Sequence, residues 1–146
     1  MFIKLSLLCF LAYVSCQEGN GTNQNDIGWT QAVAVSGKLT CNGKAASNIK
    51  LKLYENEIII DHLMAEGHSD SNGEFKVSGS KSEITTIDPK LNVYHKCNYN
   101  GLCYKKFTIK IPKDYVNKGK EAERTYDVGT LNLANKYPGE STDCIN

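Results

Sequence analysis

The chain has 146 residues, 40% of them hydrophobic, which is enough for one domain with its own core. Its 17 Lys and Arg face 16 Asp and Glu, which excludes a polybasic nucleic-acid binder or an acidic tail as the organising feature. Six cysteines in so short a chain is the one abnormal count.

Residues 1–16 read as a secretory signal peptide. Lys4 supplies the positive start, Leu5 to Val14 is an apolar run broken only by Ser6, and small residues follow at Ser15 and Cys16. The run is too short to span a bilayer, which takes about 20 apolar residues. Cleavage after Cys16 places Val14 and Cys16 at the two small-residue positions. A lipid-modified Cys16 is the rival reading, and Tyr13 fits it poorly. Cleavage also removes Cys9, leaving Cys41, Cys97, Cys103 and Cys144, an even number that reads as two disulfides in a secreted domain. There is no C-x-x-C pair to suggest a zinc knuckle or a redox site.

Residues 17–29 are polar and rich in Gly and Asn, and are expected to form a loose arm. The arm holds the sequon Asn20-Gly21-Thr22, a glycosylation candidate at Asn20. The folded domain is expected over 30–146. Val33, Val35, Leu39 and Cys41 alternate with Ala34, Ser36, Lys38 and Thr40, the pattern of a half-buried strand. Asn42-Gly43 is a turn, and Ile49, Leu51 and Leu53 then alternate with Lys50, Lys52 and Tyr54. Residues 55–62 form a connection with an apolar patch, and a short strand is expected near 63–68. Asp70-Ser71-Asn72-Gly73 is a turn leading to a strand marked by Phe75 and Val77.

Residues 80–89 are expected to be a longer connection, with Pro89 biasing Asp88 towards extended geometry. Leu91, Val93, His95 and Cys97 share a strand face, and Cys103, Phe107, Ile109 and Ile111 share the next. The span 113–120 has room for one helical turn. Thr125 to Ala134 is the last extended segment, with a bulge at Gly129 where the apolar parity shifts. Tyr137-Pro138-Gly139 opens a tail. Seven or so short strands and no sustained helical period predict an all-β fold, an antiparallel sandwich or open barrel.

Four cysteines allow three pairings. Cys97 and Cys103 flank the Asn100-Gly101 reversal, which favours Cys97–Cys103 and leaves Cys41–Cys144.

Several stretches together resemble the nematode transthyretin-like family. They include Val35 to Lys44, Lys50 to Glu55, Asp61 to Ala65, Ser69 to Phe75, Glu83 to Leu91, Tyr94 to Asn98, Ile109 to Pro112, and Tyr137 to Glu140 with Asp143-Cys144. The resemblance runs from about Val33 to Cys144. It implies a secreted, prealbumin-like antiparallel sandwich of seven or eight strands and says little about activity; no enzymatic activity and no cofactor are expected. It also implies extracellular binding or bridging, some members being implicated in linking exposed phosphatidylserine to a phagocyte receptor. A carrier of a small apolar ligand in an oligomer interface, as transthyretin itself is, stands as the alternative. The superfamily's hydroxyisourate-hydrolysing branch uses clustered His and Arg and a Tyr-Arg-Gly-Ser ending. This chain ends Asp143-Cys144-Ile145-Asn146 and has the single arginine Arg124.

Other candidates are weak. His62, His68 and His95 fit no zinc spacing and read as surface or rim histidines. Asp70 to Gly73 lacks the register and late Glu of a calcium loop. Charge placement says more. Glu55 to Asp88 holds eight acids against Lys76 and Lys81, whereas Lys105 to Arg124 holds seven basic residues against three acids. Lys105, Lys106, Lys110 and Lys113 are therefore candidates for a patch that takes anionic lipid or an acidic receptor surface. No nucleic-acid partner and no transmembrane segment are expected.

Overall fold

A computed structural model describes residues 28–146. The expected signal peptide, most of the arm and the Asn20 sequon lie outside the described residues. Ten strands fall into two five-stranded sheets. The first sheet is built on one long strand, β1 (Trp29–Cys41). It pairs antiparallel with β2 (Lys44–Ala45), β5 (Glu74–Glu83) and β8 (Asn117–Lys118), and in parallel with β9 (Thr125–Asn132). Residues 34–38 pair with both β5 and β9, so those two strands flank β1 on opposite edges. The second sheet runs β10 (Ser141–Asp143), β7 (Tyr104–Lys110), β6 (Pro89–His95), β3 (Lys50–Glu55), β4 (His62–His68), all antiparallel.

The all-β sandwich is as expected, and the differences have local causes. The strand count reaches ten because three two- or three-residue strands join the longer ones. β1 starts at Trp29, the last residue assigned to the arm, and Gln31 to Val35 are all buried. A central strand covered on both edges hides small outward residues such as Ala32 and Ala34 beneath its neighbours, which hides the half-wet alternation. β5 continues to Glu83, so the connection to β6 is shorter than the expected 80–89. The single helical turn is a 3-10 turn, Lys113–Tyr115. The expected tail after Tyr137 adds an edge strand, β10, to β7.

The bulge stands where the parity shift put it. Ser36 opposes Asp127 and Lys38 opposes Thr130, so Val128 and Gly129 together face Gly37. Gly129 has φ +76°, a conformation that suits glycine. Gly37 is needed for a different reason: a Cβ there would meet Val128 Cγ2 at 2.5 Å and Phe75 Cε1 at 2.9 Å.

The core lies between the sheets. Val33, Val35, Leu39, Phe75 and Val77 from the first meet Leu51, Leu53, Leu91, Val93 and Phe107 from the second. Two disulfides close one end of it, and the pairing differs from the expected one. Cys41 joins Cys97 and Cys103 joins Cys144. The β6–β7 ladder stops at His95 and Lys105, before it reaches the cysteines. Cys97 then turns inward to the end of β1, its Cα 5.8 Å from that of Cys41. A reciprocal amide pair, Asn42 with Asn98 at 2.7 and 3.1 Å, fixes the two turns beside it. Cys103 is met by β10, whose register sets Asp143 opposite Tyr104 and so brings Cys144 beside it.

Candidate functional site

The outer face of the second sheet is assembled by alternation and register. In β3, Leu51, Leu53 and Glu55 are buried, which turns Lys50, Lys52 and Tyr54 outward. In β6, Leu91, Val93 and His95 point inward and Lys90, Asn92 and Tyr94 outward. In β7, Phe107 is the buried centre and Lys106, Thr108 and Lys110 take the opposite face.

Strand pairing then lines these residues up in three rows. The first is His68, Lys50, Tyr94, Lys106, Ser141; the second Glu66, Lys52, Asn92, Thr108; the third Leu63, Tyr54, Lys90, Lys110. Five lysines from three strands therefore share one face.

The floor beneath the lysines is polar and satisfied. Thr108 Oγ1 donates to Asn92 Oδ1 at 2.7 Å, and Asn92 Nδ2 donates to the Tyr94 hydroxyl at 3.2 Å. Asn92 and Tyr94 are both buried although they face outward. Burial, and then neighbouring Tyr94, push the Tyr54 phenol above its ordinary value, so it stays a neutral hydroxyl. Lys52 Nζ sits 5.6 Å from the centre of the Tyr94 ring.

Three lysines have partners at the margin. Lys106 meets Asp143 at 3.3 Å, Lys50 meets Glu66 at 3.9 Å, and Lys90 meets Asp61. Among the described residues no carboxylate lies within ion-pair distance of Lys52 or Lys110. Five cations against three acids leave a positive face whose geometry is held by a rigid sheet.

The four lysines singled out from sequence are divided by this geometry. Lys106 and Lys110 lie on the face. Lys105 opposes His95 on the other side of β7 and pairs with Glu140 at 3.6 Å. Lys113 lies in the 3-10 turn beyond Pro112. Lys50, Lys52 and Lys90 were missed as members of one surface. Their signal was present as alternation within each strand, but only the register across β3, β6 and β7 adds them together.

His95 departs from the surface or rim reading. It is 1% exposed, inside the core behind the lysine face. Its Nδ1 accepts the Cys97 N–H at 3.1 Å, its ring meets Phe107 edge-on, and its Nε2 has no partner. Burial holds the imidazole below its ordinary value, which keeps it neutral. Among the described residues no group of three His, Cys, Asp or Glu side chains is placed to hold a metal ion, and no helix is long and apolar enough to cross a membrane. Two open clefts, each of about 350 Å³, lie off the lysine face. One is between Lys38, Phe75 and Asp127 beside the bulge, the other between Glu57, Ile58 and Glu83 at the far end.

The all-β sandwich agrees with what sequence comparison finds. A family model described as the transthyretin-like family matches residues 36–112. The chain belongs to the transthyretin-like family. Transthyretin-like protein 5 of Caenorhabditis elegans is 51% identical over 123 residues, which is 82% of this chain and 88% of that protein. Transthyretin-like protein 2 of the same worm is 46% identical, over 82% of this chain and 86% of its own length. Transthyretin-like protein 33 is 41% identical over 80% and 84%. The matched span of the family model runs from the middle of β1 to the end of β7. It therefore includes every lysine of the outer face and both halves of the Cys41–Cys97 bridge.

Proposed function

We propose that this is a secreted, non-enzymatic binding or bridging protein that takes an anionic partner on the outer face of β3, β6 and β7. The observation that carries the reading is the row structure: Lys50, Lys52, Lys90, Lys106 and Lys110 converge over a satisfied floor of Tyr94, Asn92 and Thr108. A sheet surface of this kind has cations, hydroxyls and aromatic edges at fixed spacings and no nucleophile with an activating base. It suits a surface of phosphates or carboxylates rather than a buried small substrate. The signal-like start of the chain, the two disulfides and the family's members support export.

The test is co-sedimentation of the disulfide-intact protein with vesicles with and without phosphatidylserine, at low and raised salt. A gain in binding from the anionic lipid that weakens with salt and drops on Lys52→Glu with Lys110→Glu is the expected result. Binding to anionic vesicles that is unchanged by that double substitution overturns the assignment of this face.

A further inference from the structure

The end of the sandwich away from the disulfides exposes large apolar side chains from three separate segments. Ile58, Ile59 and Ile60, in the β3–β4 connection, are 104%, 96% and 68% exposed. Ile84, just after β5, and Trp29, the first residue of β1, are also exposed. These segments are neighbours. Trp29 opposes Glu83 in the β1–β5 ladder, and Lys81 ion-pairs with both Glu83 and Glu57, the residue before Ile58. Asn56 N–H also donates to the Asp88 carbonyl at 2.9 Å, which ties the isoleucine loop to the Ile84–Asp88 connection.

The charges around this apolar cap are paired with one another. Glu57 and Glu83 share Lys81, His62 Nε2 lies 3.3 Å from Glu57, and Asp61 is taken by Lys90. Among the described residues no carboxylate lies within ion-pair distance of Lys110, Lys113 or Lys118. Lys110 and Lys113 flank Ile111, whose N–H donates to Pro89 O at the start of β6. Lys118 sits over the Trp29 ring at 5.1 Å.

We infer that this apolar cap is a membrane-docking tip that seats Ile58, Ile59, Ile60, Ile84 and Trp29 at the boundary between headgroups and acyl chains. Three consecutive isoleucines bounded by Glu57 and Asp61 suit shallow seating of about 5–10 Å and no more, because the paired charges stop at the headgroups. Trp29 belongs at that level, with one apolar and one wet side. The unpaired Lys110, Lys113 and Lys118 complement the phosphate layer, which zwitterionic and anionic lipids share. The side chains come from separate loops, and Ile58 and Ile59 also border the open cleft at this end. A fluid bilayer can mould itself around such an uneven apolar surface. The tip differs from the lysine face in what it recognises: it needs an apolar layer and no particular headgroup.

Trp29 is the only tryptophan of the sequence and reports on the tip directly. The disulfide-intact protein is mixed with vesicles of phosphatidylcholine alone and with vesicles that also hold phosphatidylserine. A blue shift of Trp29 emission and co-sedimentation with phosphatidylcholine vesicles, both persisting in high salt, are expected. The surface variant Ile58→Ser/Ile59→Ser/Ile60→Ser, checked for an unchanged thermal midpoint, should partition at least about tenfold more weakly on both vesicles. An unshifted Trp29 emission on phosphatidylcholine vesicles, or partitioning unaltered by the triple substitution, overturns the inference. The double substitution Lys50→Glu with Lys52→Glu, at two positions that belong to the lysine face alone, separates the two surfaces. It should remove the salt-sensitive gain from phosphatidylserine and leave the Trp29 shift on phosphatidylcholine in place.

Discussion

The two ends of the sandwich are held by different means. One is closed covalently: Cys41–Cys97 joins the sheets and Cys103–Cys144 ties down the final strand. The other is closed by buried polar side chains. Gln31, 2% exposed, donates from Nε2 to the carbonyls of Thr85 at 2.7 Å and Glu83 at 3.3 Å, and accepts the Ile87 N–H at 3.0 Å. Glu55 accepts the Asp88 N–H at 3.0 Å, and burial pushes its carboxyl above the ordinary value. The stapled end has two turns fixed by one reciprocal amide pair, Asn42 with Asn98. The polar end lets the β3–β4 and β5–β6 connections carry a cluster of isoleucines outward, whereas the stapled end exposes Leu102 and Ile145 singly, each beside a bridged cysteine.

The comparison is broken most forcefully at the stapled end. Cys41→Ala with Cys97→Ala opens a loop of 56 residues and should cost about 4 kcal/mol, read as a fall in the urea midpoint. Opening the 41-residue loop of Cys103–Cys144 should cost nearly as much, because loop entropy depends weakly on length. Peptide mapping without reductant should recover those same two linkages.

At the other end, Gln31→Leu keeps the volume and leaves three backbone groups without their side-chain partner. The expected loss is about 2–3 kcal/mol by chemical denaturation. Exposed substitutions in the neighbouring isoleucine loop should leave the midpoint within about 0.5 kcal/mol.

A smaller effect comes from His95, which sits behind Cys97. Its folded-state imidazole is held below 6.5, so its contribution to stability is complete above that value and is lost as the pH falls through the lowered one. Stability should decline on acidification from pH 7, by at most about 1.4 kcal/mol per pH unit for this one proton. The raised carboxyl of Glu55 acts in the opposite sense at lower pH, because there the folded state takes up its proton first. In His95→Phe the decline just below 6.5 should vanish, and unfolding followed from pH 7.5 to 5 checks it. A slope unaltered by this substitution would assign the pH dependence elsewhere.

The smallest effect sharpens the comparison at the turns. Asn42 has φ +52° and pairs with Asn98. Asn42→Gly keeps the turn and loses only the exposed amide pair, about 0.5–1 kcal/mol. Asn42→Ala adds the left-handed strain of a residue with a Cβ, a further cost of about 1 kcal/mol.

What could be read from sequence follows from the range over which each interaction acts. Alternation placed the inward Leu51, Leu53, Leu91, Val93 and Phe107, because side-chain direction in a strand is set by the next residue. The bulge at Gly129 showed as a change of parity over a few residues. The disulfide pairing was misread because local proximity around Asn100-Gly101 looked sufficient. The deciding contacts, Asn42 with Asn98 and β10 against β7, join segments far apart in the chain. The lysine face was half visible for the same reason. Lys106 and Lys110 are neighbours in sequence, whereas Lys50, Lys52 and Lys90 join them only through register. His95 looked like a rim residue because polarity was weighed without the aromatic and disulfide neighbours that bury it.

The parallel pairing of β1 with β9 sets the order in which the molecule is made. β1 emerges first from the ribosome and has β5 within reach early, but its other edge waits for residues 125–132, near the end of the chain. Until then a long, apolar strand carries an open row of amide and carbonyl groups, the kind of edge that templates intermolecular pairing. Closing it requires contacts of large sequence separation, which slows folding. A chain whose cysteines are still reduced thus meets its most aggregation-exposed moment just before β9 docks.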